Sequence, residues 1–157
     1  MSIEIREITT EEDAAACYPI MYALRPELEN AEQFARRWRD LSWTGYRLLA
    51  LFDYGEIRAL AGFRINHNIV HGKHMYVDDL VTAERERSSG FGALLMDRLR
   101  DECRRQGCGK LLLDTPMSNS LGNRFYYRQG MFATALRFTQ ETNKQESKVG
   151  RGSTPFP

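Results

Sequence analysis

Between Met75 and Cys103 the hydrophobic period of this chain changes once, across Arg87-Ser88-Ser89-Gly90-Phe91-Gly92. Met75 to Thr82 is apolar and strand-like, whereas Phe91, Leu94, Leu95, Leu99 and Cys103 recur at helical spacing, with arginines and acids between them. Glycines at a strand-to-helix junction let the backbone approach a ligand closely. The first helical N–H groups lack an intrahelical acceptor and favour an anion there. The order strand, glycine turn, helix therefore calls for a fold with a β-α-β unit and a site for phosphate or pyrophosphate.

The flanking sequence supplies the partners. Ile3 to Ile8 alternates apolar and polar residues as a strand does, and Thr9 and Thr10 before Glu12 and Asp13 form a helix N-cap pattern. One helix is expected from Glu11 to Leu24, ended by Arg25-Pro26, and a second from Ala31 to Leu41. Tyr46–Phe52 and Ile57–Ile65 read as antiparallel strands about the turn Asp53-Tyr54-Gly55-Glu56, and His74–Thr82 as a fourth strand after a turn at Asn66–Lys73. Beyond the central helix, where Asp101 and Arg105 are spaced for a surface ion pair, Lys110–Asp114 is almost wholly apolar, as in a strand buried on both faces. It should lie parallel to the fourth strand through a right-handed crossover. A last helix from Ser120 to Gln129 and a final strand from Met131 to Thr139 complete an α/β (α+β) chain with a mixed, mostly antiparallel sheet flanked by helices. Residues 1–139 are read as one domain. The polar residues 140–157 are read as a flexible tail, with docking on the partner of a homodimer as the alternative.

Composition narrows the partners. With 157 residues the chain has room for a single domain with a real core. A formal net charge of +1 gives no reason to expect nucleic acid. No run approaches the ~20 apolar residues that span a bilayer, and Met1-Ser2-Ile3-Glu4 carries no signal-peptide pattern, so a cytoplasmic protein is expected. Three cysteines (Cys17, Cys103, Cys108) without paired spacing read as reduced thiols, Cys103 as a small core residue.

Two familiar phosphate sites fit poorly. A dinucleotide fingerprint wants three glycines after the first strand, and a P-loop wants a Gly-Lys-Ser/Thr ending. In contrast, Arg87-Ser88-Ser89-Gly90-Phe91-Gly92 matches the pattern Arg/Gln-x-x-Gly-x-Gly/Ala. Asp78-Asp79-Leu80-Val81-Thr82 precedes it at the expected distance. Asn119 to Met131 matches Asn-x-x-Ala-x-x-(Phe/Leu)-Tyr-x-x-x-Gly-(Phe/Met), with Gly122 in place of the alanine. Through these segments the chain resembles the Gcn5-related N-acetyltransferase (GNAT) family, over about residues 3–139 and most weakly over 11–45.

The resemblance implies acetyl-CoA as co-substrate, no metal, and acetyl transfer to a primary amine of a small molecule or protein by direct attack on the thioester. It implies that Arg87, Ser88, Ser89, Gly90, Phe91 and Gly92 receive the pyrophosphate. Backbone groups of Leu80, Val81 and Thr82 would pair with the pantetheine arm, and an N–H near Val81 would polarise the thioester carbonyl. Asp78 corresponds to the position some members use as base, and Asp79 to a structural or substrate-orienting acid. Because successive strand residues face opposite ways, only one of the two is expected in the site. Tyr126 is implied as the acid that protonates the departing thiolate, and as a cofactor contact; on helical spacing alone it would be a core aromatic. Asn119 binds the cofactor or caps the last helix. A non-catalytic acyl-CoA-binding regulatory module is the alternative function. His67, His71 and His74 near one hairpin are read as exposed rather than as a metal site, and Trp38 as core.

Overall fold

The computed structural model describes residues 2–83 and 89–143. In chain order these form β1 (Ile3–Glu7), α1 (Glu11–Ala16), α2 (Tyr18–Leu24), α3 (Ala31–Ser42), β2 (Arg47–Asp53), β3 (Glu56–Asn68), β4 (Gly72–Thr82), α4 (Phe91–Arg105), β5 (Lys110–Leu113) and α5 (Ser120–Arg128). The strands make one sheet in the order β1-β2-β3-β4-β5, antiparallel throughout except for the parallel pair β4–β5. The mixed α/β sheet and its β-α-β unit agree with the sequence.

Period-two alternation divides the core into two layers. Leu48, Ala50 and Leu60 face α1, α2 and α3, where they meet Ala14, Met21, Phe34 and Trp38. Leu49, Leu51, Ala59, Ala61 and Phe63 face α4 and meet Leu95, Met96, Leu99 and Cys103. Thus β2 and β3 are the strands covered on both sides. Lys110–Leu113 is not, as it lies at the sheet edge with Lys110 exposed and the three leucines only half-buried.

Four other expectations change. The first helix is two helices, because Pro19 has no N–H to continue the ladder and the hydrogen bonding restarts at Cys17, whose carbonyl accepts from Ile20 and Met21. Thr10 caps α1 as expected, accepting from the Asp13 N–H. Asp101 pairs with Arg104 one turn away (3.0 Å), while Arg105 turns to Glu102. His74 is buried, its Nδ1 2.9 Å from the Gly72 carbonyl oxygen, because β4 begins at Gly72 and carries it inward. Finally, residues 131–143 form no strand. Phe132, Leu136 and Phe138 are 76%, 69% and 91% exposed, and no described strand lies alongside to supply the ladder that a strand requires. Residues 140–143 are likewise irregular, and 144–157 lie outside the described residues.

One buried charge ties α4 to the sheet. Glu102, 5% exposed on α4, accepts from Arg47 of β2 (2.7 Å), Arg105 (3.0 Å from its Nε) and Gln106 (2.9 Å); Arg47 also binds Glu7 of β1. Burial pushes the Glu102 carboxyl up, but hydrogen bonds from Arg105, Gln106 and Arg47 outweigh it and bring its pKa to about 2. A depressed carboxyl stabilises the fold above its ordinary pKa of 4.5, and that stability fades as pH falls toward about 2. Glu102→Gln should therefore lower stability by about 2 kcal/mol at pH 7. In urea titrations the gap from the parent should shrink steadily between pH 4.5 and 3; a pH-independent gap would contradict this role for the charge.

Candidate active site

The end of β4 is the pivot. β4 pairs with β5 from His74↔Lys110 to Val77↔Leu113 and no further, while on its other side it stays paired with β3 to Thr82. Among the described residues, Asp78 to Thr82 therefore have a strand on one side only. The parting coincides with a β-bulge, since Phe63 pairs with Val77 and Gly62 with Asp79, leaving Asp78 as the extra residue. Bulges bend a strand and re-aim its side chains.

The bulge corrects the expectation that Asp78 and Asp79 face opposite ways. Both line one cleft of about 560 Å³, together with Arg25, Tyr46, Arg64 and Tyr76, and also Leu41 and Arg137. Asp79 accepts from Arg25 (Nε 3.1 Å, Nη2 2.8 Å) and from the Tyr46 hydroxyl (2.7 Å). Arg25 also donates to the Asp78 backbone carbonyl (3.0 Å), pinning the bulge. Burial, and then the Asp79 charge, push the Tyr46 phenol well above its ordinary value, so it stays a donor to Asp79. Asp78 differs from its neighbour. Its buried Oδ2 has no hydrogen bond, with Arg64 Nε 3.7 Å away. Burial and the adjacent Asp79 raise its pKa against the opposing pull of Arg64 and Arg25.

The other singled-out segments converge beyond this point. A Cβ built on Gly92, in the first turn of α4, would lie 3.3 Å from Phe125 of α5 and 3.8 Å from Thr82 Oγ1 of β4. Three separated stretches (Leu80–Thr82, Gly90–Gly92 and Asn119–Tyr126) thus meet at one place. Gly90 is the N-cap of α4 in a left-handed conformation (φ 89°), with no side-chain cap and open space around it. The N–H groups that follow have no intrahelical acceptor. Phe91 is buried in the α4-side core and so is a packing residue. Ser89 forms the bend before Gly90, while Arg87 and Ser88 lie outside the described residues. Tyr126 is half-buried, with its ring edge-on to Phe125 at 5.4 Å, and burial raises its phenol above the ordinary value.

Asn119 caps α5, accepting from the Gly122 N–H (3.0 Å) while its amide donates to Thr115 Oγ1 (3.2 Å). A Cβ at Gly122 would come within 2.3 Å of that amide nitrogen, so glycine at the alanine position of the pattern makes room for the cap. Sequence reasoning missed Arg25, Arg64, Tyr76 and Arg137. Gly62 was a usable signal, because glycine inside a strand marks a close approach. A Cβ there would lie 2.0 Å from the Tyr46 hydroxyl. Among the described residues no three His, Cys, Asp or Glu side chains are grouped to hold a metal ion, and no helix is long and apolar enough to cross a membrane.

This fold recurs in solved structures. Glucosamine-6-phosphate N-acetyltransferase from Arabidopsis thaliana superposes with a TM-score of 0.73 at 21% identity, covering 91% of this chain and 100% of that one. The aminoglycoside acetyltransferase AAC(6')-Iy, in complex with the bisubstrate analogue CoA-S-monomethyl-acetylneamine, superposes with a TM-score of 0.77 at 15% identity, covering 91% and 99%. The fold is that of the N-acetyltransferases. The chain belongs to the acetyltransferase (GNAT) family, whose sequence profile matches residues 9–131, and it is an acetyltransferase. The uncharacterized N-acetyltransferase YhdJ of Bacillus subtilis is 35% identical over 124 residues, 79% of this chain and 87% of that protein.

Gly122→Ala would displace the Asn119 cap, a loss of about 1 kcal/mol, while alanine returns about as much in helix propensity. The expected net change in unfolding free energy is within about 1 kcal/mol. A larger destabilisation would mean that the Asn119 amide cannot move aside.

Proposed function

We propose that the protein is an acetyl-CoA-dependent N-acetyltransferase that acts on a primary amine. The observation that carries this is the meeting of Thr82, Gly92 and Phe125 beside the one-sided end of β4. An extended pantetheine arm fits an open strand edge, to which Leu80, Val81 and Thr82 offer backbone groups. The pyrophosphate fits the start of α4, which has no side-chain cap and where Gly90 faces open space. Arg87, Ser88 and Ser89 are proposed to complete that contact. Asn119 contributes as the cap that fixes the start of α5.

In the reaction the amine nitrogen forms a bond to the thioester carbon, and the carbon–sulfur bond breaks. Asp78 takes the amine proton, a role suited to a partly exposed carboxylate on the cleft whose pKa burial has raised. Tyr126 gives its proton to the departing thiolate. Burial holds the phenol protonated, and the same dry surroundings raise the thiolate's affinity for a proton. Asp79, held by Arg25 and Tyr46, orients the substrate side of the cleft. The cytoplasm and a small-molecule or protein acceptor complete the proposal.

Thiol release from acetyl-CoA over an amine panel tests this against a module that only binds acyl-CoA. Turnover is expected, and tight CoA binding with no turnover for any amine would favour the module. Tyr126→Phe should lower kcat about a hundredfold with little change in KM for acetyl-CoA; a loss within about twofold across pH rules out its acid role. In the parent, kcat/KM should fall on the acid side at a pH above the ordinary carboxylate range, and Asp78→Asn should abolish that limb.

A homodimer is proposed as the assembled state. Phe132, Leu136 and Phe138 are exposed on the irregular segment after α5, and β5 has an unpaired edge among the described residues. Light scattering should give twice the chain mass, and Leu136→Lys with Phe138→Lys should return it to one; a monomeric parent at about 50 μM would exclude the dimer.

A further inference from the structure

The charges of the acceptor cleft select more than an amine. Asp79 is saturated, since Arg25 takes one oxygen through two nitrogens and Tyr46 takes the other. That ion pair cancels itself. Asp78 has a buried Oδ2 without a hydrogen bond, which faces Arg64 at 3.7 Å, outside hydrogen-bond reach, while the side chain as a whole is 32% exposed. Arg64 is held there from the far side. Its Nη1 donates to the Thr44 carbonyl (2.9 Å), and its guanidinium lies over the Tyr46 ring at 5.6 Å.

A second cation enters from the segment after α5. Arg137 also lines the cleft, donating to the Tyr76 hydroxyl (3.1 Å) and pairing with Asp114, which accepts from the same hydroxyl (2.7 Å). Arg137 is 64% exposed, so much of its guanidinium faces solvent. An amine that engages Asp78 therefore arrives beside Arg64, with Arg137 on the same cleft. Asp114 offsets Arg137 as Asp79 offsets Arg25, so a bare cationic amine would find no negative charge beyond Asp78, which already faces Arg64. An acceptor with its own negative group would have its amine on Asp78 and its anion on the arginines.

We propose that the acceptor is an amine carrying a carboxylate or phosphate group a few bonds from the nitrogen, with Arg64 and Arg137 reading that anion. The inference rests on the acetyl-transfer function proposed above. Two matched pairs test it in the thiol-release assay: β-alanine against β-alaninamide, and O-phosphoethanolamine against ethanolamine. The anionic member should be favoured about tenfold or more in kcat/KM, mainly through KM, and the better of the two pairs tells carboxylate from phosphate. Arg64→Met should bring the anionic-to-neutral ratio close to one, and Arg64→Lys should restore part of it. Thermal melting checks that each variant is folded. Equal use of both members, or preference for the neutral one, overturns the anionic acceptor and leaves acetyl transfer standing. A ratio unchanged in folded Arg64→Met overturns the role of Arg64. Absence of turnover for all four amines while another amine of the panel is acetylated overturns this inference alone; absence across the whole panel, with acetyl-CoA bound, overturns the function as well.

Discussion

The bulge at Asp78 is the constraint on which the rest of the site depends. A parallel pair could continue alongside β5 for the full length of β4, and no cleft would then form. The β4–β5 ladder stops at Val77, where β5 ends at Leu113, and the extra residue on β4 follows at once. The bend leaves Asp78 to Thr82 with β3 alone, and the same extra residue carries two successive acids into one cleft. The open edge of β4 and the gathering of two acids in one cleft thus meet at a single place in the backbone.

A bulge persists only where its surroundings fix it. Here the fixing is polar and long-range. Arg25, just past α2, grips both the Asp78 carbonyl and the Asp79 carboxylate, and Tyr46, at the start of β2, closes on Asp79 across Gly62. The two-layer core behind these groups is apolar and closely filled, with Leu48, Leu51, Leu60 and Phe63 fully buried. The sheet that carries the site is therefore stiff, and the moving parts of catalysis are left to the substrates and to side chains at the cleft.

The parts of the molecule legible in the sequence are those set by local period and local chemistry. The change of period around Gly90 defined the β-α-β unit, and the Thr10 cap and the Asp53–Glu56 turn lay where their residue types demand. Legibility ended where the outcome depends on a distant partner. Met131–Thr139 alternates as a strand should, yet no described strand flanks it. Lys110–Leu113 is apolar enough to be central and lies at the edge. For the site, Asp78, Asp79 and Tyr126 stood out through their neighbours in sequence. Arg25, Arg64 and Arg137 did not, since each acts on residues far away in the chain and nothing local distinguishes them from the other surface arginines.

The neighbouring acids show how far identical chemistry can diverge on one strand. Asp79 meets a guanidinium and a phenol that keeps its proton, so its oxygens are occupied before any substrate arrives. Asp78 is placed by the bulge where burial disfavours its charge and the nearest cation stops short of a hydrogen bond. A carboxylate in that position gains more from a new donor than one already satisfied. Exchanging their surroundings would exchange their roles, because nothing in the side chains themselves separates them. The difference between the two acids is therefore written in Gly62, Tyr46 and Arg25, which surround Asp79 and leave Asp78 without their hydrogen bonds.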